Sequence, residues 1–119
     1  MEKASKKLEN YFKDYLSYLF LFLAILCEVA GTLLLPSSQS FTKLMPTISL
    51  GILYLFAFYF LAIAVNTIPV AVMYATWSGL GIFTIAIISY YYFNQSLSWQ
   101  AILGLVLIVA GVVLVNAFK

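Results

Sequence analysis

The sequence is poor in charge and lacks residue types on which many protein chemistries depend. Its 119 residues include no histidine and no arginine, a single cysteine, and only 8% charged residues. A soluble domain carries about a quarter charged residues, so this composition cannot cover a water-facing surface. Without histidine, and with Cys27 alone, an internal disulfide and the usual metal sites are excluded. We therefore expect no bound metal, no cofactor and no enzyme active site.

The balance of charge excludes another class of function. The formal net charge is only +2, and binding to nucleic acid depends on a concentrated positive surface that neutralises phosphates. We expect no nucleic-acid partner. The charges that remain are few enough that the position of each one along the chain is informative.

Long apolar runs dominate what is present. Hydrophobic residues make up 65% of the chain, and the mean hydropathy is +1.06. Four runs, each near the ~20 residues that cross a ~30 Å hydrocarbon core as a helix, cover residues 17–35, 44–65, 70–93 and 99–117. Their lack of polar alternation argues against a membrane β-barrel. The sequence predicts an all-α membrane protein: a four-helix transmembrane domain over 17–119, multi-pass in the cytoplasmic membrane, with both termini on one side.

The first 16 residues differ from the rest because they are polar and mixed in charge. Lysines alternate there with apolar side chains, at the spacing of a short amphipathic helix: Leu8, Tyr11, Phe12 and Tyr15. This segment is predicted to be either a helix on the membrane surface, in contact with lipid, or a partly ordered tail.

Glu28 is the only ionisable acid or base inside the predicted spans. A charge near the bilayer centre costs about 2.5–3.5 kcal/mol on insertion scales, and such residues are commonly functional. A carboxyl there can exchange a proton for a cation. The alternative is a protonated glutamate hydrogen-bonded between helices. Thr32 lies one turn away, where its hydroxyl bonds either the carboxyl or its own backbone.

The third run places aromatic and small side chains on one helical face. Tyr74, Trp77, Ser78 and Gly81 follow the spacing i, i+3, i+4 and i+7. Aromatic faces attract cations by about 0.5–2 kcal/mol each, so an acid beside this face would suit a lipophilic cation. The alternative is that these aromatics only pack or face lipid, as aromatics near membrane interfaces often do.

The fourth run carries Gly104 and Gly111, seven residues apart and therefore on one helical face. Glycines on one face let two helices approach closely. The approach is either a dimer seam or a contact within the chain. Four helices seldom enclose a transport pathway alone, whereas transporters commonly use two inverted repeats around a site at the midplane. The chain therefore has the size of one half of such a transporter.

Two stretches of sequence then carry a resemblance to a known family. One runs from Ala24 to Thr32 (AILCEVAGT) and continues at residues 40–46 (SFTKLMP); the other is Ile68-Pro69 followed by residues 74–81 (YATWSGLG). The chain resembles the small multidrug resistance transporters, which are proton-coupled exporters of cationic compounds. The resemblance covers about residue 18 to the end and looks closer to the quaternary-ammonium branch than to the guanidinium-exporting branch.

The resemblance implies roles for individual residues. Glu28 would bind substrate and protons in competition, and Tyr54, Tyr74 and Trp77 would line the same chamber. Gly104 and Gly111 would form the seam of an antiparallel dimer. The chain also departs from the family pattern, since Ser40 stands where a glycine is common and Met73 where a small residue is common, so that Met73 is expected to reshape the pocket.

Other readings of the cargo and the assembly stay open. An exporter of guanidinium or a polyamine and a non-transporting or lipid-carrier flippase subunit are the alternatives. If the termini share one side, that side carries five of the six lysines and the other carries only Lys43, which predicts cytoplasmic termini. Because an antiparallel homodimer needs copies inserted both ways, the partner is either a second copy that tolerates this bias or an oppositely oriented relative.

Overall fold

The computed structural model describes all residues 1–119 and consists of helices and short connections. The helices are α1 (Glu2–Leu33), α2 (Leu35–Ser38), α3 (Leu44–Ala64), α4 (Val70–Tyr92) and α5 (Trp99–Ala117). Four of them, α1, α3, α4 and α5, are long and apolar enough to cross a membrane. The predicted all-α membrane fold with four transmembrane helices is confirmed. The ends of these helices lie within two residues of the predicted ends, except at the start of α1.

The helix ends follow from local residue chemistry. The helix α1 ends at Leu33, because Pro36 has no backbone N–H to donate to the Thr32 carbonyl and its ring would clash with that carbonyl. Pro36 is tolerated in the first turn of α2. Pro69 precedes α4. The hydroxyl oxygen of Ser98 accepts a hydrogen bond from the Ala101 backbone amide at 3.2 Å and caps α5.

The connection between α2 and α3 has an unusual backbone. Gln39, Ser40 and Phe41 all have positive φ angles, of 47°, 59° and 66°. Residues with a Cβ atom are strained in this left-handed region by roughly 1–2 kcal/mol each. Ser40 therefore adopts a backbone conformation that glycine would tolerate better.

The polar N-terminal residues extend α1 without a break. Two ion pairs one turn apart run along this extension, Lys6 with Glu2 at 3.4 Å and Lys13 with Glu9 at 3.2 Å. A helix of 32 residues is about 48 Å long, well beyond a ~30 Å core, so its first turns lie outside the apolar layer. The division of the chain at residue 16 and the placement of the tail on the membrane surface stay predictions.

The core lies between α1, α3 and α4. The helix α1 packs along α3 and against α4. The buried core residues are Leu21, Ala24, Ile25, Val29, Leu61, Ala64, Ile68, Val72 and Met73. Met73 therefore points into the core, where its flexible side chain fills space between helices. The expectation that Met73 reshapes the pocket stays a prediction.

The last helix, α5, is attached mainly through α4. Val112 is the only buried residue of α5. It packs on Gly79 of α4, where an added Cβ atom would lie 2.5 Å from Cγ2 of Val112. Most of α5 thus faces outward as a continuous apolar surface.

Candidate functional site

A cleft of about 300 Å³ opens between the three core helices and contains the acid predicted to be functional. Its lining residues are Glu28 from α1, Tyr54, Ala57 and Phe58 from α3, and Trp77 from α4. Glu28 is partly exposed there. The cleft is otherwise aromatic and apolar, which is the environment in which a carboxylate and ring faces bind a lipophilic cation.

A short chain of hydroxyl groups holds one oxygen of the carboxyl. The Thr32 hydroxyl donates to Oε1 of Glu28 at 2.7 Å. The hydroxyls of Thr32 and Tyr54 are 2.7 Å apart. Because Thr32 has a single hydroxyl hydrogen and gives it to Glu28, Tyr54 donates to Thr32. The chain runs Tyr54 to Thr32 to Glu28 and fixes the carboxyl between α1 and α3.

The other carboxyl oxygen lies against a glycine of α4. A Cβ atom added at Gly81 would stand 3.1 Å from Oε2 of Glu28. Gly31 plays a similar part on α1, where an added Cβ atom would stand 3.1 Å from the Tyr54 ring. Both glycines leave room at the site, as small residues do where helices approach closely.

Trp77 joins the aromatic side chains of the site. Its ring centroid lies 6.1 Å from that of Phe58 and 5.6 Å from that of Tyr74, within the range of favourable aromatic pairs. The Trp77 Nε1 atom is buried and has no hydrogen-bond partner within the chain. An unpaired buried donor is costly, so this N–H group carries that cost in the single chain.

The structure separates the predicted site residues into two groups. Glu28, Thr32, Tyr54 and Trp77 come together. Tyr74 reaches the site only through its contact with Trp77 and is 61% exposed. The Ser78 hydroxyl donates to the backbone carbonyl of Tyr74 at 2.7 Å, so this serine satisfies its own helix and does not line the cleft.

Phe58 is a lining residue that sequence reasoning missed. It follows Tyr54 by four residues, so the two side chains share one face of α3. That spacing could have indicated Phe58 as a lining residue. It does not single out Phe58, because ten phenylalanines and nine tyrosines are spread along the chain.

The predicted seam glycines make no close contact within the chain. No atom lies within 4 Å of a Cβ added at Gly104 or Gly111. Within the chain, the close helix contact of α5 is made by Val112 on Gly79 instead. The structure therefore shows no close contact of Gly104 or Gly111 with another helix of the same chain. Their place in a dimer seam stays a prediction.

The fold and the cleft define a class of protein: a small multi-pass protein of the cell membrane with one acid held inside a four-helix bundle. A family model described as Small Multidrug Resistance protein matches residues 16–108. The chain belongs to the small multidrug resistance family.

Individual relatives agree with this assignment. The chain is 42% identical over 101 residues to the quaternary ammonium compound-resistance protein QacG of Staphylococcus sp. (strain ST94), covering 85% of this chain and 94% of the relative. It is 43% identical over 99 residues to the multidrug transporter EmrE of Escherichia coli (strain K12), covering 83% and 90%. It is also 43% identical over 96 residues to NepA of Paenarthrobacter nicotinovorans, a nicotine metabolites export pump subunit, covering 81% and 83%.

Proposed function

We propose that this chain is a multidrug efflux transporter that exports lipophilic or quaternary-ammonium cations across the cytoplasmic membrane in exchange for protons. The observation that carries the proposal is the position of Glu28, the only Asp, Glu, Lys or Arg inside the membrane-spanning runs, in a cleft lined by Tyr54, Phe58 and Trp77. Names of relatives that describe quaternary ammonium resistance and multidrug transport support the same cargo class.

The chemistry of exchange follows from one carboxyl that serves two ligands. A cation is attracted by the carboxylate and by the surrounding rings, which contribute about 0.5–2 kcal/mol each. When Glu28 takes up a proton, the charge that held the cation is removed and the cation is released. Proton and cargo therefore use the site in turn. Each net charge moved is driven by about 2.3 kcal/mol per 100 mV of membrane potential.

We further propose that two copies in opposite orientations form the working transporter. The cleft within one chain is small and open, and α5 presents an apolar face that the chain itself leaves uncovered. The partner is a second copy or an oppositely oriented relative. The name of one relative, NepA, describes a pump subunit and therefore a protein that works as part of an assembly.

The experiment is a proton-release titration in weakly buffered detergent solution with a pH-sensitive dye. Adding tetraphenylphosphonium, an aromatic cation, should displace protons from the wild type. Glu28→Gln should abolish this release, whereas Glu9→Gln, which changes an acid in the exposed extension, should leave it intact. Equal release from Glu28→Gln and wild type would refute the assignment of the site.

Uptake into proteoliposomes then separates the candidate cargoes. With a pH gradient imposed, tetraphenylphosphonium should be taken up faster than guanidinium or putrescine. Preferred uptake of either of the latter would transfer the proposal to that cargo class. Full cellular activity of Glu28→Gln would instead favour the non-transporting or lipid-carrier flippase subunit.

A further inference from the structure

A chain of polar side chains joins three helices at the end of the bundle where the N-terminal extension begins. The Tyr18 hydroxyl of α1 donates to Oδ1 of Asn116 of α5 at 2.6 Å. The Asn116 amide nitrogen donates to the Thr76 hydroxyl oxygen of α4 at 2.8 Å and to the Val112 carbonyl at 2.9 Å. Thr76 is buried, and Tyr18 and Asn116 are partly buried.

The donors and acceptors along this chain are consistent in direction. Lys119 donates to the Tyr18 hydroxyl oxygen and stands 4.3 Å from the centre of its ring. Tyr18 donates to Asn116, Asn116 donates to Thr76, and Thr76 donates to the Val72 carbonyl at 2.7 Å. Asn116 thus uses both amide hydrogens and its carbonyl oxygen. A buried polar network with every member satisfied fixes a single arrangement.

Asn116 is also the only side-chain hydrogen-bonded bridge between α1 and α4, the helices that carry Glu28 and Trp77. The Ser78 and Thr84 hydroxyls of α4 donate to carbonyls of their own helix. No direct side-chain hydrogen bond links α4 to α1. The amide of Asn116 therefore adds a directional link between α1 and α4 to their apolar packing and to the hydrogen bond from Thr67, just before α4, to Ser17 of α1.

The two ends of this bridge lie close to the site residues along the chain. Thr76 directly precedes Trp77. Tyr18 lies ten residues before Glu28 on the same continuous helix α1, or about 15 Å along its axis. A continuous hydrogen-bonded helix is a rigid element that can carry a shift along its axis over that distance. Fixing Tyr18 against Thr76 therefore fixes Glu28 against Trp77.

We propose that Asn116 is a positioning residue of the cation site: its side-chain amide holds α4 in register with α1, so that Trp77 faces Glu28. This inference rests on the proposed function. It assigns to α5 a part in shaping the site as well as a predicted part in pairing. A movement of α5 would then change the position of Trp77 relative to Glu28.

The test compares cation affinity with fold stability in a set of matched variants. Asn116→Leu keeps the size of the side chain and removes the bridge. Thr76→Val removes the acceptor, and Tyr18→Phe removes the donor. Thr84→Val is the control because it deletes a hydroxyl of α4 that bonds only its own helix. All variants are made in a Trp99→Phe background, which leaves Trp77 as the only tryptophan.

Binding of tetraphenylphosphonium and the fluorescence of Trp77 are the readouts. Asn116→Leu should weaken binding about tenfold, equivalent to about 1.4 kcal/mol, and shift the Trp77 emission at a temperature where the protein is folded. Thr76→Val and Tyr18→Phe should each weaken binding about fivefold. Asn116→Leu combined with Thr76→Val should bind within about twofold of Asn116→Leu alone, because the two changes break one bond. Thr84→Val should bind as the parent does.

A purely structural role would give another pattern. The inference is overturned if the variants melt at lower temperature but bind tetraphenylphosphonium with the parent affinity and show the parent Trp77 emission. If Asn116→Leu does not fold, Thr76→Val and Tyr18→Phe decide the matter in the same way. Absence of cation binding in the parent, or parent-like binding in Glu28→Gln, indicates failure of the proposed function instead.

Discussion

The contact between Gly79 and Val112 gives the sharpest prediction about stability. A methyl group at position 79 would stand 2.5 Å from Cγ2 of Val112 and 3.3 Å from Cγ2 of Ile108. Carbon atoms pack at about 3.5–4.0 Å, so Gly79→Ala creates an overlap of about 1 Å with Val112. Valine has one strongly preferred rotamer in a helix and cannot turn away. The helix α5 must therefore move outward from α4.

Two opposing effects set the size of the change in unfolding free energy. Overpacking of this kind costs about 1–3 kcal/mol, whereas replacing glycine by alanine inside a helix gains about 1 kcal/mol. Gly51→Ala isolates the second effect, because no atom lies within 4 Å of a Cβ added at Gly51 in α3. Gly79→Ala should thus be less stable than Gly51→Ala by about 1–3 kcal/mol.

The assay is reversible unfolding of the purified protein in mixed micelles as the fraction of sodium dodecyl sulfate is raised, followed by circular dichroism. A double-mutant cycle with Val112→Ala tests the assigned cause. Removing the Val112 methyl groups should restore at least about 1 kcal/mol to Gly79→Ala, although Val112→Ala alone is destabilising. If Gly79→Ala matches Gly51→Ala, or if the two changes add without relief, the packing of α5 on α4 is not as described.

Three further predictions concern the site, the strained connection and the open face of α5. Gly81→Ala should weaken tetraphenylphosphonium binding about tenfold with the fold retained, because its methyl group meets Oε2 of Glu28 at 3.1 Å. Isothermal titration of this variant and of Gly51→Ala checks the prediction. Equal affinities of the two variants would contradict it. Ser40→Gly should raise the unfolding free energy by about 0.5–1 kcal/mol, because its φ of 59° suits glycine, and an unchanged or lower midpoint of unfolding argues against strain there. Gly111→Leu should leave the helix content of the chain unchanged and abolish pairing, measured by cross-linking in liposomes; a paired Gly111→Leu protein removes this glycine from the seam.

The sequence alone predicts more of the fold than of the candidate site. Apolar runs of spanning length fix the four membrane helices, because a backbone in lipid must satisfy its own hydrogen bonds and a helix does so within one segment. Pro36 and Pro69 mark helix boundaries for reasons that act within a few residues. Glu28 stands out because a lone acid is costly in the membrane.

The partners of Glu28 are decided by how the helices pack against one another. Periodicity places Thr32 near the carboxyl but leaves open whether its hydroxyl bonds Glu28 or its own backbone. The approach of Tyr54 from α3 decides this in favour of the carboxyl. Ser78 shares the sequence pattern of the site, yet its hydroxyl bonds its own helix.

The scarcity of charge and the runs of apolar residues determine by themselves that this chain is a four-helix membrane protein, and the position of one acid predicts its functional site at Glu28. Only the tertiary structure shows that Phe58 lines the cleft, that Met73 fills the core, and that Asn116 links α5 to Tyr18 and Thr76. The physical reason is the range of the interactions. Burial in lipid acts on each segment separately, whereas contacts between side chains far apart in sequence depend on the relative rotation and height of neighbouring helices, which no single helix specifies.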